Sequence, residues 1–155
     1  MSATAVSFKP AGCQQVIPYL VVAEPEQTVD FVKTVFGAKE THISRDQQGR
    51  IMHASVEIGD SVLMIGGAMA EYPAMPATVY IYIPDVDAAY RRALSAGAKS
   101  LREPADQFYG DRSGGVVDIN GTQWWLGTHI EDVSNEEIER RAQAAYSARA
   151  RQGAA

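Results

Sequence analysis

Residues 52–67 read MHASVEIGDSVLMIGG and residues 115–129 read GVVDINGTQWWLGTH, and each stretch has the pattern of a strand, a glycine turn and a second strand. Gly59-Asp60 and Asn120-Gly121 are typical hairpin turns. Ahead of each hairpin lie a short apolar run and an amphipathic pattern, which predict a strand and a helix. These segments are VIPYLVV (16–22) with EPEQTVDFVKTVF (24–36), and TVYIYIP (78–84) with DVDAAYRRALSA (85–96). The sequence therefore predicts a strand-helix-strand-strand-strand module that occurs twice.

The chain length sets the domain organisation around this repeat. With 155 residues, 46% of them apolar, the chain suits one domain with an ordinary core. We expect a single domain over residues 1–130 and a C-terminal helix and tail over residues 131–155, the helix starting at the capping box Ser134-Asn-Glu-Glu137. Within the domain, module one covers about residues 14–67, a linker residues 68–76, and module two about residues 77–130.

Composition excludes several classes of function. The net charge of −5 argues against nucleic-acid binding. The N-terminus lacks a signal-peptide pattern and no window approaches a membrane span, so we expect a cytoplasmic protein with no membrane partner. One cysteine, Cys13, and three histidines leave few side chains for thiol or imidazole chemistry.

Four segments resemble the vicinal-oxygen-chelate superfamily, which includes glyoxalases, bleomycin-resistance proteins and extradiol dioxygenases. They are VIPYLVV with DFVKTVFGAKE, GRIMHASVEIGDSVLMIGG, IPDVDAAYRRALSAGAK and YGDRSGGVVDINGTQWWLGTH, spanning residues 15–129. The MHA, IGDS and YGDRSG segments are similar to the PhnB-like subgroup. The resemblance implies an α+β fold in which two βαβββ modules pair into a curved, cup-shaped mixed sheet with helices outside and a ligand inside.

The resemblance also locates the metal ligands of metal-dependent relatives, which use one residue from the first and one from the last strand of each module. The equivalent positions here are Ile17, Met64, Thr78 and Trp125, and none of these side chains suits a hard or borderline divalent ion. We therefore expect a metal-free cup with no cofactor.

The same alignment identifies the inward side of each strand, because side chains alternate along a strand. The candidate ligand-binding residues are aromatic or weakly polar: Tyr19, His53, Ser55, Met64, Tyr80, Tyr82 and Trp125. The loop from residue 106 to 115 adds Tyr109 and Arg112, where Arg112 would clamp an anionic group. Alternatively, Arg112 belongs to an internal network with Asp111 or with the backbone.

Three functions follow from this set of residues. The first is a binding protein that sequesters a small aromatic or cationic molecule, as in drug-sequestering resistance proteins. The alternative is a metal-independent isomerase or lyase in which His53 is the catalytic acid or base and Tyr80 or Tyr82 a hydrogen-bond donor. The third is a metal-dependent lyase or dioxygenase with displaced ligands such as His53, Glu57 and His129. A homodimer is expected, because superfamily sites are often completed between chains.

Overall fold

The computed structural model describes residues 6–153, and the chain divides between Pro76 and Ala77 into two compact units. The predicted N-terminal stretch and tail include residues 1–5 and 154–155, which lie outside the described residues. Unit one contains β1 (Tyr19–Val22), α1 (Pro25–Phe36), β2 (Lys39–Arg45), β3 (Ile51–Ile58) and β4 (Ser61–Gly67). Unit two contains β5 (Thr78–Tyr82), α2 (Val86–Ser95), β6 (Lys99–Asp106), β7 (Asp111–Val117), β8 (Gln123–His129) and α3 (Asn135–Gln152).

Each unit has a four-stranded mixed sheet with the same topology. The strand orders are β1-β4-β3-β2 and β5-β8-β7-β6. In both sheets the first strand pairs parallel with the last, and the remaining pairs are antiparallel. The predicted α+β class, the βαβββ order of both modules and the C-terminal helix are confirmed.

One side of each sheet carries the core beneath its helix. In unit one, Val56 and Ile65 are fully buried on the side that packs against α1. In unit two, Val116, Trp124 and Leu126 are fully buried on the side that packs against α2. Burying each aliphatic side chain contributes about 2 kcal/mol, so these helix-proximal sides supply the main driving force for folding.

The helix ends agree with the local sequence signals. Pro25 is the first residue of α1, and Gly37 follows the helix with φ of 67°, a left-handed conformation that suits glycine. Asp85 caps α2 by accepting a hydrogen bond from a backbone N–H. Ser134 caps α3 in the same way, whereas Glu137 forms ion pairs with two arginines of the helix.

The C-terminal helix is attached to unit two by few side chains. Arg141 donates to the carbonyl oxygen of Phe108 and to the carboxylate of Glu131. Ala142 is its one buried residue within the described range. None of the helices in residues 6–153 has the length and apolar character needed to span a bilayer.

Candidate functional site

The side of each sheet that faces away from its helix carries the polar and aromatic residues. In unit one the strand register places Tyr19, His42, His53, Ser55, Met64 and Gly66 on this side, which we call the histidine face. In unit two it places Tyr80, Tyr82, Arg102, Asp111, Ser113, Trp125, Gly127 and His129 together, which we call the tyrosine face. The alternation used for the sequence predictions thus agrees with the register of both sheets.

On the histidine face, His53 is held by two hydroxyl groups. Its Nδ1 lies 3.1 Å from the hydroxyl of Tyr19, and its Nε2 lies 3.2 Å from that of Ser55. Gly66 makes the first contact possible, because a Cβ there would lie 2.8 Å from a ring carbon of Tyr19. Hydroxyl groups can donate or accept, so either ring nitrogen of His53 can carry the proton. The imidazole is therefore oriented without being tied to a carboxylate.

The positions that hold a metal in metal-dependent relatives do not fit one here. Met64 is in register with Tyr19, and Trp125 with Tyr80, so the strand ends present a thioether, an indole and phenols. Ile17 lies before β1 and offers no donor atom. Thr78 offers a hydroxyl only, and borderline divalent ions prefer imidazole, carboxylate or thiolate ligands. Within residues 6–153, no group of three or more His, Cys, Asp or Glu side chains is placed to hold a metal ion.

The tyrosine face is organised by one buried carboxylate. Tyr80 and Tyr82 donate hydrogen bonds to the same oxygen of Asp111, Oδ2, at 3.0 and 2.8 Å. Their rings are 5.2 Å apart and 59° from parallel, and the residues remain 44% and 63% exposed. Tyr80 crosses over Gly127, where a Cβ would lie 2.3 Å from its hydroxyl oxygen. A glycine at this position therefore lets the ring reach Asp111.

The second oxygen of Asp111 accepts a hydrogen bond from His129. His129 Nδ1 is 2.9 Å from Asp111 Oδ1, and its Nε2 is 2.8 Å from Asp132 Oδ1. Hydrogen bonds to Asp111, which has the larger effect, and to Asp132 raise the pKa of His129. Burial by itself raises the pKa of Asp111, but hydrogen bonds from His129, Tyr82 and Tyr80 outweigh it and hold that pKa below its usual range. Both ring nitrogens of His129 face carboxylate oxygens, which only accept hydrogen bonds when ionised, so this geometry suits the imidazolium form of His129.

Arg102 and Trp125 occupy the adjoining part of the tyrosine face. The Arg102 guanidinium carbon lies 4.9 Å from the centre of the Trp125 ring, in cation–π geometry. One of its nitrogens donates to Ser113 Oγ at 2.6 Å, and Tyr109 contacts the same oxygen at 3.2 Å. Its Nε is buried without a hydrogen-bond partner in the described part of the chain. Tyr109, predicted from the loop, therefore joins this face together with Trp125.

Arg112 does not belong to the tyrosine face. It follows Asp111 in β7, so its side chain points to the side that carries α2, where it forms two hydrogen bonds with Asp87 and a third with Asp106. These carboxylates occupy the N–H donors of the guanidinium that an anionic ligand would need. We therefore withdraw Arg112 from the candidate binding residues, and the alternative of an internal network describes it better. The proposed Asp111–Arg112 pair is wrong, because adjacent strand residues point to opposite sides.

Five residues of the tyrosine face are absent from the predicted site set: Arg102, Asp111, Ser113, Gly127 and His129. From the sequence, Asp111 is predicted only as a partner of Arg112, and His129 only as a displaced metal ligand. The available signal was the pairing of the start of β7 with the end of β8, which places Asp111 opposite His129. Arg102 follows an irregular register in β6, between Ser100 and Arg102, and this shift is not visible in the local sequence pattern.

Comparisons with known proteins agree with this architecture. The Glyoxalase/Bleomycin resistance protein/Dioxygenase superfamily model matches residues 13–126. The uncharacterized protein Mb0911c of Mycobacterium bovis is 32% identical over 146 residues, covering 87% of this chain and 93% of its own length.

Two solved structures share the fold. TioX from Micromonospora sp. ML1 matches with a TM-score of 0.65 and 24% identity, covering 76% of this chain and 99% of TioX. TnmS3, an antibiotic binding protein from Streptomyces sp. CB03234, matches with a TM-score of 0.59 and 20% identity, covering 82% of this chain and 99% of TnmS3. At these identities the structural matches show the fold alone. From the match over residues 13–126 and the mycobacterial relative, the chain belongs to the Glyoxalase/Bleomycin resistance protein/Dioxygenase superfamily.

Proposed function

We propose that this protein binds a small, flat aromatic or cationic molecule without a metal ion and releases it unchanged. The observation that carries the proposal is the pair Tyr80 and Tyr82, two large exposed side chains that Asp111 holds in fixed positions. Exposed aromatic side chains are costly to leave in water, and rings that are fixed in advance lose little entropy when a ligand stacks on them. Both features favour recognition of a flat molecule.

Two further observations support a binding role. Trp125 and Tyr19 add aromatic surface, and in the register Met64 lies beside Tyr19 and Ser55 beside Met64. The fold is shared with TnmS3, which is an antibiotic binding protein. Each face is proposed by itself as a contact surface. The proposed ligand-contacting residues are Tyr19, His53, Ser55 and Met64 for the histidine face of unit one, and Tyr80, Tyr82, Tyr109 and Trp125 for the tyrosine face of unit two.

Calorimetric titration with methylene blue, a flat cation, tests the proposal. We expect a dissociation constant in the micromolar range, a stoichiometric complex, and dye recovered unaltered as judged by its mass. Tyr82→Ala should weaken binding about tenfold, which is the effect of losing a good stacking partner. Tyr72→Ala is the matched control, since Tyr72 is an exposed aromatic residue outside both faces. Equal losses in both variants, or no binding to the wild type, would contradict the proposal.

Elemental analysis of protein purified without chelators tests the metal-free prediction separately. We expect less than stoichiometric divalent metal. A stoichiometric ion would favour the metal-dependent alternative.

A second candidate function, proton transfer by His53, is favoured by one observation. His53 lies between Tyr19 and Ser55, and hydroxyl partners of this kind can hold an imidazole in place for acid–base chemistry. Any ligand that copurifies with the protein should then be converted by the wild type and not by His53→Ala, while the affinity is largely retained. Recovery of the same unaltered ligand from both forms would exclude this candidate.

The homodimer, the PhnB-like subgroup and the cytoplasmic location remain predictions from the sequence. Light scattering of the purified protein tests the first of them. A molar mass near twice 16.8 kDa is expected.

A further inference from the structure

The tyrosine face has a hydrogen-bonding polarity that its residue composition does not reveal. Asp111 is 2% exposed and its carboxylate is an acceptor only, since an ionised carboxylate has no hydrogen to donate. It accepts from Tyr80 and Tyr82 through Oδ2 and from His129 through Oδ1. All three neighbours must therefore act as donors towards it.

Each phenol has one hydrogen, and Asp111 uses both. Burial and the hydrogen bond to Asp111 raise the pKa of Tyr80, and the hydrogen bond, followed by burial, raises that of Tyr82. Both groups therefore keep their hydrogens at neutral pH. Towards any partner other than Asp111, the two hydroxyl oxygens offer only lone pairs, so they can accept hydrogen bonds and cannot donate them.

The aromatic rings of this face also favour a cationic ligand. The faces of Tyr80 and Tyr82 carry the negative part of the aromatic quadrupole, which attracts cations. The chain shows this behaviour itself, because Arg102 lies over the ring of Trp125 on the same face. Arg102 already uses that indole, which leaves the tyrosine pair as the free acceptor surface.

We propose that Tyr80 and Tyr82 select flat cations that carry N–H donors, and that Asp111 sets this selectivity by holding both phenol hydrogens. The inference rests on the proposed binding function and narrows its ligand class. Asp111 acts through the phenols as a positioning residue, and the two phenol oxygens contact the ligand. A flat molecule that offers only acceptors would meet lone pairs and would bind less tightly.

A matched pair of dyes tests the selectivity without any mutation. Thionine and methylene blue share a flat cationic ring system, but thionine carries amino N–H groups and methylene blue has methyl groups in their place. We expect the wild type to bind thionine about tenfold more tightly, since one hydrogen bond from a charged donor is worth about that factor. The dissociation constants are measured by calorimetry at one pH and one salt concentration.

The double variant Tyr80→Phe/Tyr82→Phe keeps both rings and removes both oxygens. Thionine affinity should fall to that of methylene blue, while methylene blue affinity stays within about twofold. Tyr146→Phe, an exposed tyrosine on α3, is the matched control and should keep the tenfold preference. Circular dichroism confirms that each variant is folded, and the single variant Tyr82→Phe, the more exposed of the pair, replaces the double one if that fails to fold.

The outcomes separate this inference from the function on which it rests. Equal wild-type affinity for both dyes, or a preference that survives the loss of both phenol oxygens, overturns the selectivity and leaves the binding function standing. Failure of both dyes to bind overturns the binding function and this inference with it.

Discussion

The histidine face and the tyrosine face are built on the same strand framework and differ in the group that contacts the hydroxyl of their first tyrosine. In each, a tyrosine of the first strand, Tyr19 or Tyr80, lies across a glycine of the last strand. The Tyr19 hydroxyl contacts the imidazole of His53, whereas the Tyr80 hydroxyl donates to the carboxylate of Asp111.

This difference determines how firmly each face defines its hydrogen-bond directions. On the histidine face, hydroxyl and imidazole partners can exchange donor and acceptor roles. On the tyrosine face, the carboxylate forces both phenols to donate and connects them to His129. A single ionised residue thus turns an adaptable arrangement into a polarised one, and the following predictions test that contrast.

The largest difference is expected when the central group of each face is removed. Asp111→Ala loses three hydrogen bonds, one of them from an imidazolium, and should lower the free energy of unfolding by about 3 kcal/mol. His53→Ala loses two hydrogen bonds at a less buried site and should cost about 1 kcal/mol. Urea denaturation measures both values. Equal costs would mean that the carboxylate does not distinguish the two faces.

A smaller difference is expected from closing the space beneath each tyrosine. In Gly127→Ala the new Cβ would displace Tyr80 and weaken its bond to Asp111, so we expect a cost of about 2 kcal/mol. In Gly66→Ala the displaced ring is Tyr19, whose partner is His53, and about 1 kcal/mol is expected. Thermal unfolding monitored by circular dichroism ranks the two variants, and the reverse order would break the comparison.

The pH dependence of stability should carry a contribution from His129. Its folded-state pKa is raised above the ordinary value of 6.5, because its hydrogen bonds are accepted by Asp111, which has the larger effect, and by Asp132. This stabilisation is fully present below about pH 6.5 and is lost as the pH rises through the folded-state pKa. Denaturation curves between pH 5.5 and about 9 should therefore show a decline in the wild type that is absent in His129→Gln.

A control separates the two carboxylates that act on His129. Asp132→Asn removes the more exposed partner, so the pKa of His129, followed by NMR of the imidazole, should fall but stay above 6.5. A value in the wild type at or below 6.5 would contradict the charged pair on the tyrosine face.

The smallest effect is expected at Arg102, although it lies on the more strongly bonded face. Its buried Nε has no partner in the described residues, and such a group costs stability when its hydration is lost. Arg102→Met keeps the packing on Trp125 and removes that cost, which offsets the lost hydrogen bond to Ser113, so the free energy of unfolding should change by no more than about 0.5 kcal/mol. A loss above about 2 kcal/mol would show that the cation–π contact stabilises the face more than we infer.

Much of the fold was predictable from local patterns. Gly37 marks the end of α1 and Asp85 the start of α2, because the backbone conformations and orphan N–H groups at helix ends favour these residue types. The alternation in β3 and β8 predicted the side of each strand that carries His53 and Trp125, and the register agrees. The ligand-site assignments built on these faces stay predictions.

The partners within the candidate site were less predictable. Tyr80 and Tyr82 were identified as separate aromatic residues, but their common partner Asp111 lies 31 and 29 positions away in the chain. For Arg112 the sequence leaves a ligand and an internal network open, while the position of Asp87 on α2 gives it a carboxylate in its own unit. Neither pairing follows from the local sequence, because both depend on which elements lie next to each other.

The sequence by itself determined the repeat, the ends of the helices and the side of each strand that carries polar residues, because turn conformations and side-chain alternation are properties of neighbouring residues. The tertiary structure decided which groups meet. Because β8 lies between β5 and β7, Gly127 lies beneath Tyr80, and the lack of a side chain there lets the Tyr80 hydroxyl reach Asp111. The chemistry of the tyrosine face arises from that placement, since a hydrogen bond depends on distances between atoms that are remote along the chain.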